Sequence, residues 1–263
     1  MAVLLGVDTG GTFTDAVLLR DETEVIASAK SLTTRSDLAQ GIGKAVAAVL
    51  AASRIKPEEI AMASLSTTLA TNALVEGQGG RVGLVYIGFR PGDLIRHGLS
   101  EVLAGDPAIE LPGGHDHSGS EQQPLDLRAL QSWVEAQTGV SAFAVAGQFA
   151  TRNPAHEEAA SQLIRAVSGK PVSASYQLSS QSNGPRRALT SVLNARLIGP
   201  LAGLIERASF TLTALGILPP LLVVPGDGAL LSAPLAPAHP LAPPLRPPPP
   251  PLVRPPPPPR PHP

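Results

Sequence analysis

Residues 6–15 read GVDTGGTFTD, and within ten positions they gather two carboxylates, two adjacent glycines and three threonines. Glycines lack a Cβ, so backbone N–H groups at Gly10 and Gly11 can approach an anion closely, and the hydroxyls of Thr12 and Thr14 add donors around it. Asp8 follows an apolar run and is placed to hold a hydrated magnesium ion, which takes one or two carboxylates and keeps several waters. Asp15 offers a second polar anchor. The chemistry this implies is phosphate binding beside a divalent cation. A plain hairpin also uses Asp-Gly and Gly-Gly pairs. It does not, however, need Asp8, Thr9, Thr12, Thr14 and Asp15 packed around the same turn.

The two common glycine-rich phosphate loops run from a strand into a helix. Neither G-x-x-x-x-G-K-[ST] nor G-x-G-x-x-G occurs here, and the turn leads into another strand. AVLLGVD reads as a buried strand, while TFTDAVLLR, the polar DET and EVIASAKS read as a hairpin. The first three strands therefore form an antiparallel meander. A helix follows over SDLAQGIGKAVAAVLAAS, with Ser36 as N-cap and Asp37 in its first turn. MASLSTTLA, RVGLVYIGF, VSAFAVAGQF, KPVSASYQL and LLVV read as strands. PLDLRALQSWVEAQTG and PAHEEAASQLIRAVS read as helices opened by proline. Residues 105–124 read as loop, and a long helix spans about 186–215 with a break expected at Gly199–Pro200. This alternation predicts an α/β domain, helices layered on a mostly parallel sheet that opens with the meander.

Composition narrows the function classes. Of the 263 residues none is cysteine, which excludes disulfides, thiolate metal sites and a cysteine nucleophile. From Pro234 to the last residue, 17 of 30 positions are proline, three are arginine and none is acidic. Such a segment cannot build a core, so the foldable body is 1–233 and residues 234–263 form a proline-rich tail expected to be disordered. Without the tail's three arginines the body carries 17 basic and 21 acidic residues, a net charge of −4, which does not suggest a nucleic-acid surface. AVLLGV is too short to serve as a signal peptide core or to span a bilayer. These features predict a cytoplasmic protein that binds neither nucleic acid nor membrane.

GVDTGGTFTDAVL resembles the phosphate hairpin that opens the A subunits of the hydantoinase/oxoprolinase family, members of the actin-like, Hsp70 and sugar-kinase ATPase superfamily. TTLATNALVE (67–76), NPAHE (153–157) and TSVLNARL (190–197) resemble further family segments in the same order, and the first two motifs are specific when found together. The resemblance covers about residues 3–233. It implies a ribonuclease-H-like fold with helices on both faces of a mixed sheet, and ATP-dependent hydrolysis of a cyclic amide such as a hydantoin or 5-oxoproline. The implied cofactors are ATP and Mg²⁺. Asp8, Gly10, Gly11, Thr12, Thr14 and Asp15 would hold phosphates and metal, and Thr67, Thr68 and Asn72 would face the substrate. A hydantoinase B-type subunit is the implied partner. Thr71 and Asn72 could equally cap a short helix.

Two departures bear on substrate chemistry: Leu65 and Ser66 stand where the family carries a His-Gly pair, and NGPRR keeps Arg187 but lacks the acids and aromatic of the corresponding family run. VVPGDGAL (223–230) resembles the strand that precedes the family's second half, after which the resemblance ends in proline. The tail reads either as a polyproline II recruiting segment or as the product of a frameshift in GC-rich coding sequence, a choice that sequencing the locus decides. A chain lacking its second half would be at most a weak phosphate binder alone. It would expose an apolar half-interface through which copies could associate. Two rivals to the enzyme reading are a non-catalytic assembly module and a sugar-kinase-like phosphotransferase.

Elsewhere, HDH at 115–117 lacks a third ligand of defined spacing for a metal. His156 falls in the first turn of a helix, where capping or packing competes with catalysis. Trp133 lies on an apolar helical face with Leu127 and Leu130. Asn194 is mid-helix and needs a partner there.

Overall fold

Strand β1 (Val3–Thr9) alternates between buried and solvent-facing positions, with Val3, Leu5, Val7 and Thr9 on one face and Leu4, Gly6 and Asp8 on the other. The period of two fixes which residues meet the core. In the structure, a computed structural model that describes residues 2–34, 37–67, 79–224 and 231–232, β1 pairs antiparallel with β2 (Phe13–Arg20), and β2 with β3 (Glu24–Leu32). The expected meander is therefore present. Its second turn puts Asp21 and Glu22 at φ 47° and 63°, and Thr23 N–H closes it onto the Arg20 carbonyl at 3.2 Å. Left-handed residues at both central positions match the twist of the flanking strands.

Helix α1 (Leu38–Ser53) starts at Asp37, whose side chain accepts from Ala39 N–H. Asp37 is thus the N-cap, in place of Ser36, which lies outside the described residues. Strand β4 (Ile60–Thr67) returns parallel to β1. With β9 (Leu221–Val224) and β10 (Leu231–Ser232) they complete a mixed six-stranded sheet in the order β10-β9-β4-β1-β2-β3.

A second sheet is wholly parallel, in the order β6-β5-β7-β8. Its strands are β5 (Val82–Ile87), β6 (Ala108–Leu111), β7 (Ala142–Gly147) and β8 (Val172–Ala174). Every residue of β5 and β7 is buried, as central parallel strands require. β6 lies inside the stretch that reads as loop. Four residues at a sheet edge are too few to show a period, and only pairing with β5 defines them. KPVSASYQL also differs from expectation, because it stops as a strand at Ala174 and turns into the short helix α6 (Ser175–Leu178). Two further short helices, α2 (Asp93–Arg96) and α3 (Leu99–Leu103), join β5 to β6. Helices α4 (Leu127–Ala136) and α5 (Ala155–Ser168) cover one face of this sheet through Leu130, Val134, Ala160 and Ile164.

The long helix α7 (Gly184–Ala214) covers the other face and also ties the sheets together. Its first half packs Ala188, Val192 and Ala195 on the second sheet, and its second half packs Leu204, Ala208 and Leu212 beside α1 on the first. The expected break at Gly199–Pro200 does not occur. Proline removes the N–H that would bond the carbonyl of Arg196, but Gly80 N–H donates to that carbonyl at 3.1 Å, so the helix continues without an orphaned acceptor. By length and composition α7 could cross a membrane. Its packing against both sheets accounts for its apolar character instead.

Candidate functional site

Antiparallel register sets Asp8 directly opposite Asp15, and parallel register sets Ser66 of β4 beside Asp8. All three lie on the face of the first sheet that turns away from α1. Lys30 of β3 stands opposite Asp15, and its Nζ lies 3.2 Å from the Asp15 carboxylate and 5.2 Å from the centroid of the Phe13 ring. With Ser28, Ser64 and Val224 these residues border a groove of about 390 Å³. Asp8 is exposed and, among the described residues, has no hydrogen-bond or ion-pair partner.

The turn between β1 and β2 is held by its own backbone and by Thr33. Gly10 N–H donates to the Phe13 carbonyl at 3.0 Å, so that amide is engaged within the turn. The Thr33 hydroxyl donates to the Gly10 carbonyl at 2.9 Å, and Thr33 N–H to the Thr12 carbonyl at 2.9 Å. Thr14 is fully buried, and its Oγ1 lies 3.0 Å from Thr33 Oγ1. A Cβ on Gly41 of α1 would come within 3.0 Å of the same Thr14 oxygen. Thr14 thus faces the helix, while Gly11 and Thr12 are exposed at the turn tip. Thr9 is buried on the core face, and its Oγ1 has no partner among the described residues.

Of the residues expected to face the substrate, Thr67 ends β4 at the register of Thr9. Thr68 and Asn72, with Thr71, lie outside the described residues. Leu65, at the position of the family's histidine, packs in the core, whereas Ser66 borders the groove. Sequence reasoning missed Lys30 and Thr33. The consecutive threonines at 33–34, just after β3, were the only local hint of the second.

The NPAHE stretch has a different role, in the second sheet. His156 Nδ1 accepts from Gly114 N–H at 2.9 Å, so its Nε2 carries the proton toward Glu121, also 2.9 Å away. Its neighbour Glu157 is completely buried: Oε1 accepts from Gly147 N–H at 2.7 Å and from the Ser175 hydroxyl, and Oε2 from Tyr176 N–H at 3.1 Å. Arg187, also buried, donates to Ser175 Oγ at 3.2 Å and to the Gly147 carbonyl at 2.8 Å. Burial raises the Glu157 carboxyl above its ordinary value, against the opposing pull of these hydrogen bonds and of Arg187. The arginine that the sequence retains therefore braces β7.

Other sequence candidates resolve as packing. His115 is buried against the His156 ring at 4.5 Å, Asp116 caps its own loop through Ser118 and Ser120, and no group of three metal-ligating side chains occurs among the described residues. Trp133 packs edge-on to Phe143. Asn194 is buried and donates to Ser173 at 3.0 Å.

A meander-first mixed sheet, a glycine turn beside Asp8 and a returning parallel strand define an α/β protein of the actin-like ATPase type. Solved structures share the fold: the ATP-dependent caprolactamase from Pseudomonas jessenii superposes with a TM-score of 0.72 at 27% identity over 87% of this chain and 36% of that one. Nucleotide-free acetone carboxylase gives 0.70 at 18% over 90% and 38%. Residues 4–168 match the model of the hydantoinase/oxoprolinase N-terminal region, and the chain belongs to that family. It is 31% identical to caprolactamase subunit alpha of Pseudomonas jessenii over 86% of this chain and 36% of that protein. It is 30% identical to the acetophenone carboxylase gamma subunit of Aromatoleum aromaticum over 73% and 31%. The chain thus spans about a third of the length of these relatives, which are subunits of larger enzymes.

Proposed function

We propose that this region forms the phosphate-binding half of an ATP-dependent cyclic amide hydrolase. The single observation that carries the reading is Asp8: an unpartnered carboxylate at the mouth of a groove, in the hairpin where the family match begins. Asp8 and Asp15 present hard oxygen donors on one face with room for retained waters, which suits Mg²⁺. Bound there, the ion would neutralise charge that develops as a phosphoryl group moves. Gly11 and Thr12, exposed at the turn tip, are the residues left free to meet phosphate. Gly10 and Thr14 keep the turn in shape through Phe13 and Thr33. Thr67, Thr68 and Asn72 would lie toward the amide.

A lactam carbonyl is a poor electrophile, and moving the γ-phosphoryl group of ATP to its oxygen corrects that. The bond from phosphorus to the ADP oxygen breaks as the bond to the carbonyl oxygen forms. One water then ends in the new carboxylate, the ring C–N bond breaks with its nitrogen protonated, and another water releases phosphate. A B-type subunit would be the partner of the complete enzyme. A cytosolic setting, where ATP is plentiful, fits the reading.

Calorimetric titration with Mg·ATP tests the site, with weak saturable heat expected from the chain and none from Asp8→Ala. Heat that persists unchanged in Asp8→Ala sinks the reading. No heat from either protein, together with no lactam-dependent ATP turnover after adding the remainder of a relative's subunit, favours a non-catalytic assembly module. Turnover with a sugar in place of a lactam would make the protein a kinase.

A further inference from the structure

The second sheet has a site of its own, independent of the hairpin. The chain leaves β5 toward α3 on the face shared with α7, and leaves β7 toward α5 on the opposite face. Chains that diverge in this way open a crevice beyond the carboxyl ends of the two strands, the place where open α/β sheets bind ligands. A cavity of about 460 Å³ occupies that position, bordered by Phe89, Arg90, Gln148, Phe149, Asn183 and Gly184. Its size is that of a small-molecule pocket.

The lining is built rather than incidental. Glu157 holds the N–H of Gly147 and Arg187 holds its carbonyl, so the last residue of β7 is fixed from both sides. Phe149 follows at φ 52°, a left-handed conformation that is unfavourable for a non-glycine residue. Amides of Arg152 and Asn153 cap its carbonyl at 2.8 and 3.2 Å. At the opposite wall a Cβ on Gly184 would meet the Phe89 ring at 2.5 Å, so glycine alone lets the ring lie against the first turn of α7. Asn183 caps Arg186 N–H and Pro185 has no N–H, which leaves the Gly184 amide without an acceptor among the described residues.

Charge and shape then select the ligand. The Arg96 side chain is paired with Asp93, whose Oδ2 also accepts from the Arg90 backbone N–H at 3.2 Å, whereas the Arg90 guanidinium has no acidic partner among the described residues. Besides His97, the wall therefore carries two arginines and one carboxylate, with one guanidinium left for a ligand, an arrangement that suits a monoanion. Behind Phe89, Tyr86 stacks at 3.7 Å and is almost wholly buried, with a hydroxyl that has no partner among the described residues.

We propose that this crevice binds a small, flat organic monocarboxylate, its carboxylate on Arg90 and the Gly184 amide and its body against Phe89 and Phe149. The proposal goes beyond the nucleotide reading and does not depend on it. Benzoate is the probe, followed by amide NMR of the whole chain. Saturable shifts are expected at Gly184, Gln148 and Phe149, with dissociation in the millimolar range or tighter and at least about ten-fold weaker in Arg90→Ala. Arg90 is exposed, so that variant should fold, and Arg90→Lys should recover part of the affinity. Asp8→Ala should leave benzoate binding unchanged. The proposal is overturned if benzoate leaves these amides in place, if neutral benzamide binds as well as benzoate, if inorganic phosphate binds more tightly, or if Arg90→Ala binds as tightly as the parent.

Discussion

The two strand-end sites solve the same problem with opposite physics. At the hairpin, Asp8 and Asp15 stand in water and are placed by strand register alone, with Lys30 as a half-exposed counter-charge. At the end of β7, Glu157 and Arg187 are removed from water and satisfied on nearly every polar atom. An exposed carboxylate costs the fold little and stays available to a cation. A buried one must be paired, and in return it fixes backbone. The hairpin is therefore suited to exchange a charged ligand, and the clamp to hold a wall still.

The contrast is broken most severely at the clamp. Glu157→Leu strands the Gly147 and Tyr176 amides and leaves Arg187 buried without its counter-charge, so a loss of about 3–5 kcal/mol is expected in urea unfolding. Glu157→Leu combined with Arg187→Met should recover much of that loss, because no lone charge then remains buried. A single variant within about 0.5 kcal/mol of the parent would show that the network contributes no specificity to stability. Next in size is Thr33→Val, which removes hydrogen bonds to the Gly10 carbonyl and Thr14. About 1–2 kcal/mol should be lost, and Mg·ATP heat should fall with it, since the turn is then held by Gly10–Phe13 and the Thr33 amide alone.

How much of this could be read from the chain follows the same division. The meander and the Asp8–Asp15 hairpin were legible because alternation and turn chemistry are local. Thr33 was not, because its partners lie 19 and 23 residues away and only the folded meander brings them together. NPAHE drew attention as a motif, yet its function in the fold belongs to Glu157 rather than His156 alone, and nothing in the spacing tells which of two adjacent side chains will be buried. The uninterrupted α7 went against its own sequence signal. Proline should end a helix, and here a glycine amide more than a hundred residues earlier supplies the missing donor. β6 was invisible for the converse reason: its four residues become a strand only by pairing.

A smaller effect distinguishes the regions by pH. Burial, and then His156, hold His115 below the ordinary histidine value, with Glu121 and Asp116 opposing. A depressed folded value means that the unfolded chain binds the proton more readily. The stability this contributes is present above the ordinary histidine value and is lost as pH falls through the folded one. Thermal unfolding between pH 7 and pH 5 should show the decline, and His115→Phe should flatten it. An unchanged slope in that variant would assign the decline to other groups.

The smallest expected change sharpens the comparison most. Lys30→Ala leaves Asp8 and Asp15 facing each other across the strands with no cation on Asp15, and like charges in that position repel. Because the Lys30 and Asp15 side chains are both half exposed, the cost should stay under about 1 kcal/mol. It should also vanish in about 1 M salt, where the screening length falls to about 3 Å. Glu157→Leu should keep its full penalty in the same salt, since the protein interior admits no counterions. Mg²⁺ should act on Lys30→Ala as salt does but at far lower concentration, because one ion can satisfy both carboxylates at once. If magnesium and an equal ionic strength of sodium restore stability equally, the hairpin acids repel without forming a site, and the groove loses its claim to a divalent cation.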